Sequence, residues 1–500
     1  MNDVTDVCIV VEGCYPYIAG GVSSWLDWLI RKQPDLRFSV VALTADDVPR
    51  EMKYKLPDNV LLFQRLALAP KALRPRRSGP RLDGAGMAAD LLDLWQRGNP
   101  EAMDRLEQLA NSPLPSGPLE FWREPVRPRH ADLIASQAAW TAMTLCYEAL
   151  APQASFSDFF WMWRQVVGGL FALLQAPIPP ARVYHAISTG YAGLFAVRAA
   201  RSTHARCAVT EHGIYTNERR IDLVMADWIC DSLPRGYGIE DTRADLRDIY
   251  IAAFEGFARA IYTSADKITA LYGANQSFQR ALGAEDAKLQ VIPNGIELER
   301  FAGITLLTDK PRPVVGLIGR VVPIKDIEAL ILAAAEIRRA VPDVEMLIIG
   351  PTDEDPAYFA ACQARVAELD LGGTVTFTGR MNIVDVLPRL DVLLLSSISE
   401  AQPLVILEAG AAGIPCVATD VGSCRDLIEG APGETPAFGR GGFVVPPMDP
   451  HALARATVDL LTDTALRDRC GRAMRQRVET HFTSGASAAQ YGALYGGLMI

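Results

Sequence analysis

No apolar run in the sequence approaches the roughly 20 residues that cross a bilayer, which argues against a membrane-spanning helix. The opening residues, MNDVTDVCIVVEG, carry acids where a secretion signal needs basic residues. There is no long basic stripe and the net charge is −10, so nucleic acid is excluded as the main partner. The nine cysteines form no C-x-x-C pair. An odd, scattered set in a long chain argues against a disulfide framework or a zinc site and for buried, reduced thiols. No Walker A loop is present. Together these absences predict a cytoplasmic protein.

What is present is ordinary globular composition, 49% hydrophobic and 22% charged, over 500 residues. That length predicts two or more domains. Short apolar runs such as DVCIVVEG, FSVVALTAD, VLLFQRL, RVYHAIS and ARCAVTEHG alternate with helical patterns. In GGVSSWLDWLIRK, Val22, Trp25, Leu26 and Leu29 share one helical face. Continuous Val/Ile/Leu/Ala runs between helices predict parallel strands covered on both sides. A second βα series begins near residue 313 with PVVGLIGRV, EMLIIGP, VTFTGRM, DVLLLSS, PCVATD and GGFVVPP.

The reading is α/β, with two doubly wound domains facing a cleft. The first domain is expected over residues 1–305, with a mostly helical elaboration over about 65–180. The second is expected over 306–480, and a C-terminal helix over 481–500 is expected to pack back on the first domain. Phe159, Phe160, Trp161 and Trp163 are read as core. The Arg74, Arg76, Arg77 and Arg81 loop is read as solvated, or as a docking surface for anionic lipid or a membrane partner.

Candidate chemistry clusters at strand ends. GLIGRVVPIKD places Arg320 after a strand and Lys325 at the start of a helix. A planar fork and a point charge beside a helix N-terminus suit a diphosphate, although a solvated loop has the same residues. Gly20 and Gly21 precede a helix, where backbone N–H groups can approach a phosphate or form a tight turn. His212 ends a buried strand, a position that suits either a structural role or the cleft. Glu400 and Glu408 lie eight positions apart in SEAQPLVILEAGAAGIPCVATD. Glu408 falls in an apolar helix that Pro403 starts, where an unpaired acid is costly and a ribose diol would satisfy it. Glu400 sits in the preceding loop, placed to read a sugar hydroxyl. The alternative is two acids on a solvated helix face.

These residues, in order, resemble the retaining glycosyltransferases of family 4, which have the GT-B fold. Glu400 and Glu408 match that family's E-x7-E motif, and Gly319-Arg320 with Lys325 match its diphosphate clamp. VIPNGIE, EAGAAGIPCVATDVGS and the Gly20–Gly21 pair match as well. VEGCYPYIAGGVSSW and SISEAQPLVILEAGAAGIPCVATDVGSCRDLIEG are similar to the cytosolic glycosyltransferases of Pel-type exopolysaccharide systems. Ala401 stands where many family members have Gly.

The resemblance implies transfer of a hexose or N-acetylhexosamine from a UDP-sugar, with retention, to a growing polysaccharide acceptor. It implies catalytic roles for Glu400, His212, Arg320 and Lys325. It implies substrate binding by Gly20, Gly21, Glu408, Asn294, Gln402, Pro403 and Leu404. It implies no metal and no cofactor, and a possible partner in an inner-membrane synthase complex, with peripheral attachment there. The competing expectations are a non-hydrolysing UDP-sugar 2-epimerase and a non-catalytic nucleotide-sugar-binding subunit of a membrane synthase.

Overall fold

The computed structural model describes all residues except 1–3, 70–74, 76–79, 116–124, 225–245 and 308. Arg74, Arg76 and Arg77 of the basic loop therefore lie outside the described residues. The chain divides into two compact units. One holds residues 1–270, 276–290 and 492–500; the other holds 271–275 and 291–491. Residues 291–305, assigned to the first domain from sequence, thus fall in the second unit.

The first unit is built on a seven-stranded sheet in the order β3-β2-β1-β4-β5-β6-β7. The strands are β1 (Thr5–Glu12), β2 (Phe38–Asp46), β3 (Val60–Ala69), β4 (Ala181–Ala186), β5 (Arg206–Glu211), β6 (Lys267–Ala270) and β7 (Leu289–Val291). β1 pairs in parallel with both β2 and β4, so the strand order reverses beside β1. Val7, Ile9 and Val10 of β1 are fully buried, as a strand covered on both faces requires. Helix Gly21–Arg31 follows β1 and buries Trp25, Leu26 and Leu29, the face its spacing predicts.

Between β3 and β4 run helices Gly84–Arg97, Pro100–Asn111, His130–Ala135, Gln137–Leu150 and Phe156–Gln175. Asp83 and Asn99 cap the first two by accepting from backbone N–H groups, and Pro100 occupies a first-turn position that has no donor to lose. The helical elaboration starts only after Ala69, because β3 extends beyond the run read as a strand. Phe159 and Trp163 are core, as expected, but Trp161 is 62% exposed. Trp163 lies two positions along the same helix, 200° around it, so the two rings cannot both face inward. In the last segment, Tyr495 donates to or accepts from His185 Nδ1 at 2.8 Å, while His185 Nε2 meets Thr210 at 2.7 Å. Arg182 also donates to the Met499 carbonyl at 2.7 Å, which ties residues 492–500 into this unit.

The second unit has a six-stranded sheet in the order β10-β9-β8-β11-β12-β13. Its strands are β8 (Val314–Ile318), β9 (Glu345–Ile349), β10 (Val375–Gly379), β11 (Val392–Leu395), β12 (Cys416–Thr419) and β13 (Gly442–Val445). β8 pairs in parallel with β9 and β11, which gives a second reversal point. Helix Ile327–Ala340 covers one face with Ile327, Leu330, Ile331 and Ile337. Each such side chain contributes about 1.5–3 kcal/mol of burial. Helix Leu404–Ala411 covers the other face through Ile406, Leu407 and Ala409. Eight cysteines are described; all are free thiols and seven are buried. Among the described residues, no helix is long and apolar enough to cross a membrane, and no cluster of His, Cys, Asp and Glu could hold a metal ion.

Candidate functional site

The richest cluster of the expected site residues is in the second unit, at the carboxyl ends of β8 and β11. Ligands in open α/β sheets bind at such a reversal point. After β8 the chain turns through Gly319 and Arg320 into a short turn, Pro323–Lys325. Lys325 is therefore in a turn just before the helix, which Asp326 caps, rather than in the helix itself. Two bonds fix that turn against the end of β11. The Ser396 hydroxyl donates to the Lys325 carbonyl at 2.7 Å, and the Ile398 N–H donates to the Ile324 carbonyl at 2.9 Å.

This bracing brings Lys325 onto Glu400. Their ammonium and carboxylate form an ion pair, with side chains only 17% and 13% exposed. The Ser397 hydroxyl donates to the same carboxylate oxygen at 2.6 Å. The loop holding Glu400 is itself packed from behind. Ser423 N–H donates to the Ala401 carbonyl at 2.8 Å. Gly422 has φ +56, and a Cβ there would lie 2.3 Å from the Glu400 carbonyl oxygen. Only glycine fits that left-handed position at this approach.

Arg320 is placed differently. It pairs with Glu354 of the loop after β9 at 2.7 Å, and both side chains are substantially exposed. The guanidinium is thus near the β8 end but is not joined to Glu400. Gly350 lets these two loops touch, since a Cβ there would lie 1.9 Å from the Gly319 carbonyl oxygen.

Gln402 and Asn294 come together although 108 residues separate them. The Asn294 N–H donates to Gln402 Oε1 at 2.7 Å, and the Asn294 side-chain oxygen is buried without a partner. Pro403 caps helix Leu404–Ala411, with Leu404 exposed at its first position. Glu408 lies in that helix between buried Leu407 and Ala409. Burial pushes its carboxyl up from the ordinary value, against a weaker opposing pull from Arg300. It has no hydrogen-bond or ion-pair partner among the described residues. A half-buried acid without a partner among the described residues is costly, and a ligand donor would relieve that cost.

The remaining expected residues belong to the first unit. Gly20 and Gly21 are exposed at the start of helix Gly21–Arg31, and nothing within 4 Å would meet a Cβ on either. Gly20 is extended, with φ 178, so neither space nor backbone there demands glycine. His212 follows β5, with its ring edge-on to Trp25 at 4.3 Å between centroids. Its Nε2 is buried without a partner, and burial pulls its pKa down to about 4, so the ring is neutral near pH 7.

Sequence reasoning missed Ser397 and Gly422. The signal for Gly422 was the turn Asp420-Val421-Gly422-Ser423, quoted only as part of a longer motif. Nothing in the sequence joins Ser397 to Glu400, because that contact depends on the loop's fold.

Residues 5–287 match a family described as a domain of unknown function, DUF3492. Residues 312–463 match the family described as glycosyl transferases group 1. Among curated relatives, a D-inositol 3-phosphate glycosyltransferase from Streptomyces avermitilis is 30% identical over 214 residues, 39% of this chain and 44% of the relative. A phosphatidyl-myo-inositol mannosyltransferase from Mycolicibacterium smegmatis is 28% identical over 250 residues, 48% of this chain and 60% of the relative. The chain thus spans about half the length of the curated relatives it matches.

Among solved structures, sucrose-phosphate synthase from Thermosynechococcus elongatus superposes with a TM-score of 0.58 at 18% identity, covering 98% of each chain. HepE from Anabaena in complex with UDP and glucose superposes with a TM-score of 0.56 at 14% identity, covering 98% of this chain and 99% of that one. At such identities the likeness is one of fold. The expected α/β fold of two Rossmann-like units is present, and its structural neighbours are glycosyltransferases of the GT-B class. Residues 312–463 of the second unit match the group 1 glycosyl transferases, and by the match over residues 5–287 the chain belongs to the DUF3492 family.

Proposed function

We propose that the chain is a retaining glycosyltransferase that takes a UDP-sugar as donor. It transfers a hexose or N-acetylhexosamine to a growing exopolysaccharide of the Pel type, in the cytoplasm or at the inner face of the membrane with a synthase partner. The group 1 glycosyltransferase match over residues 312–463 supports the sugar transfer. HepE, a neighbour in fold, is solved with UDP and with UDP-glucose, which supports a uridine nucleotide as the carrier. The observation that carries the reading is the carboxylate of Glu408, without a hydrogen-bond or ion-pair partner among the described residues, one helix turn past a loop whose Glu400 is held by Lys325.

In this reading the ribose hydroxyls donate to Glu408. Lys325 and Arg320 meet the diphosphate, and first-turn N–H groups near Leu404 lie beside it. As the bond from the anomeric carbon to the diphosphate oxygen breaks, negative charge grows on the leaving group. Cations fixed in advance stabilise that charge without reorganisation. Lys325 is shared between the diphosphate and Glu400, which frees Glu400 to accept from a donor-sugar hydroxyl. The acceptor oxygen then bonds to the same face of the anomeric carbon, and its hydroxyl proton passes to the departing diphosphate oxygen. No metal is needed, since the two cations supply the positive charge.

Thermal unfolding with UDP, GDP, ADP and CMP, each with EDTA, tests the reading. UDP at 100 times its dissociation constant should add about 2.7 kcal/mol. Equal stabilisation by all four nucleotides, or strict dependence on magnesium, would count against it.

A further inference from the structure

The first unit holds a cavity of about 610 Å3 at the carboxyl ends of β1, β2 and β3. Helices His130–Ala135 and Phe156–Gln175 of the helical elaboration wall it. Its volume is in the range of small-molecule sites. Every lining residue belongs to this one unit.

The floor is polar and organised. Glu12, at the end of β1, accepts from the Tyr191 N–H at 3.1 Å and from the Tyr215 hydroxyl at 3.0 Å. Arg219 lies 3.5 Å from it, with the guanidinium over the rings of Tyr215 and Phe254 at 5.3 and 5.8 Å. Arg219 is thus already committed. Arg164 is not: it lines the cavity and has no hydrogen-bond or ion-pair partner among the described residues. Trp161, one helical turn before Arg164, lines the same cavity and is 62% exposed. The Trp161 ring meets Phe160 edge-on at 5.1 Å between centroids, yet most of the indole stays exposed beside an uncommitted guanidinium, while Trp163 supplies the core contact.

We propose that this cavity binds a saccharide bearing an anionic group. The apolar face of a pyranose ring stacks on Trp161. Arg164 forms the charge-assisted contact with a carboxylate or phosphate on the sugar. Glu12, held in place by two hydrogen bonds and the ion pair with Arg219, accepts from a hydroxyl. An acyl chain would fill the aromatic walls but would bury the Glu12 edge against hydrocarbon, which is costly. A neutral sugar would leave Arg164 with no anion, although a planar fork is built for one. The choice of a saccharide over other hydroxylated anions rests on the transferase reading above; the cavity itself does not.

Calorimetric titration of the full chain with trigalacturonate, glucose 6-phosphate and maltotriose tests this, with tryptophan emission followed in parallel. The first two probes separate a carboxylate from a phosphate. At least one should bind about tenfold or more tightly than maltotriose, the scale of one charge-assisted contact. Arg164→Gln should bring its affinity down to that of maltotriose. Trp161→Ala should weaken every saccharide and remove the emission change. Trp161→Phe should retain part of the affinity, which separates stacking from misfolding. UDP stabilisation should be unchanged in all three variants. Equal binding of neutral and anionic sugars overturns the proposal, as does binding that ignores both Trp161 and Arg164. So does absence of any saccharide binding by a chain that still binds UDP. A chain that binds saccharide here but not UDP sinks the donor reading and leaves this site standing.

Discussion

Lys325 and Glu400, 75 residues apart in sequence, form an ion pair with both side chains mostly buried and with Ser397 as a further donor to the carboxylate. Each group satisfies the other. Removing Lys325 leaves the Glu400 carboxylate poorly solvated, with Ser397 as its remaining donor. Lys325→Ala is therefore expected to lower both stability and UDP affinity. Glu400→Gln should leave UDP binding nearly intact and reduce sugar transfer, because its proposed partner is the sugar. Titration of both variants with UDP and with UDP-sugar gives the comparison. Equal loss of UDP binding in Glu400→Gln and Glu408→Gln would remove the division of roles.

Glu408 behaves oppositely in the free chain. Burial raises its carboxyl, so the folded state holds that proton more firmly than the unfolded state. Stability on its account is present at low pH and falls as pH rises from the usual glutamate value through the raised one. Glu408→Gln should then stabilise the ligand-free chain at pH 7 but not near pH 4. A gain of about 1 kcal/mol would raise Tm by about 2–4 °C. The same variant should bind UDP more weakly. A melting series across pH, with and without UDP, checks both halves.

Among the described residues Arg320 pairs with Glu354 alone, and both side chains are exposed, so Arg320→Ala should leave Tm unchanged. Its effect should be on transfer. Losing a charge-assisted contact that strengthens as the leaving group gains charge should lower turnover at least about tenfold to a hundredfold. Steady-state kinetics should show kcat falling more than donor affinity.

Gly422→Ala puts a Cβ against the Glu400 and Ala401 carbonyls at a positive φ. Strain of this kind costs about 1–3 kcal/mol. The loop carrying Glu400 should shift, so transfer should fall while UDP binding, which we assign to Glu408, changes less. His212→Ala should likewise reduce transfer in a steady-state assay without reducing UDP stabilisation.

Much of this was legible because parallel strands buried on both faces leave long apolar runs, and β8, β9, β11 and β12 each stand out that way. The short edge strand of the first sheet did not. β7 has only three residues, Leu289–Val291, and gives no periodic signal. The two acids were legible through their spacing and the apolar residues around Glu408. Their partners were not. That Lys325 meets Glu400, and Asn294 meets Gln402, follows from turns packed together by backbone bonds between distant segments. Trp161 was misread because a run of aromatics looks like core. Helical geometry sends neighbours such as Trp161 and Trp163 to different sides.

The thiols have a practical consequence. Burial pushes Cys8, Cys146 and Cys424 up to about 12, so they are protonated and shielded while their surroundings stay folded. Cys8 and Cys146 report on the first unit, and Cys424 reports on the second. Alkylation followed peptide by peptide becomes a clock for local opening, with each unit carrying its own hands.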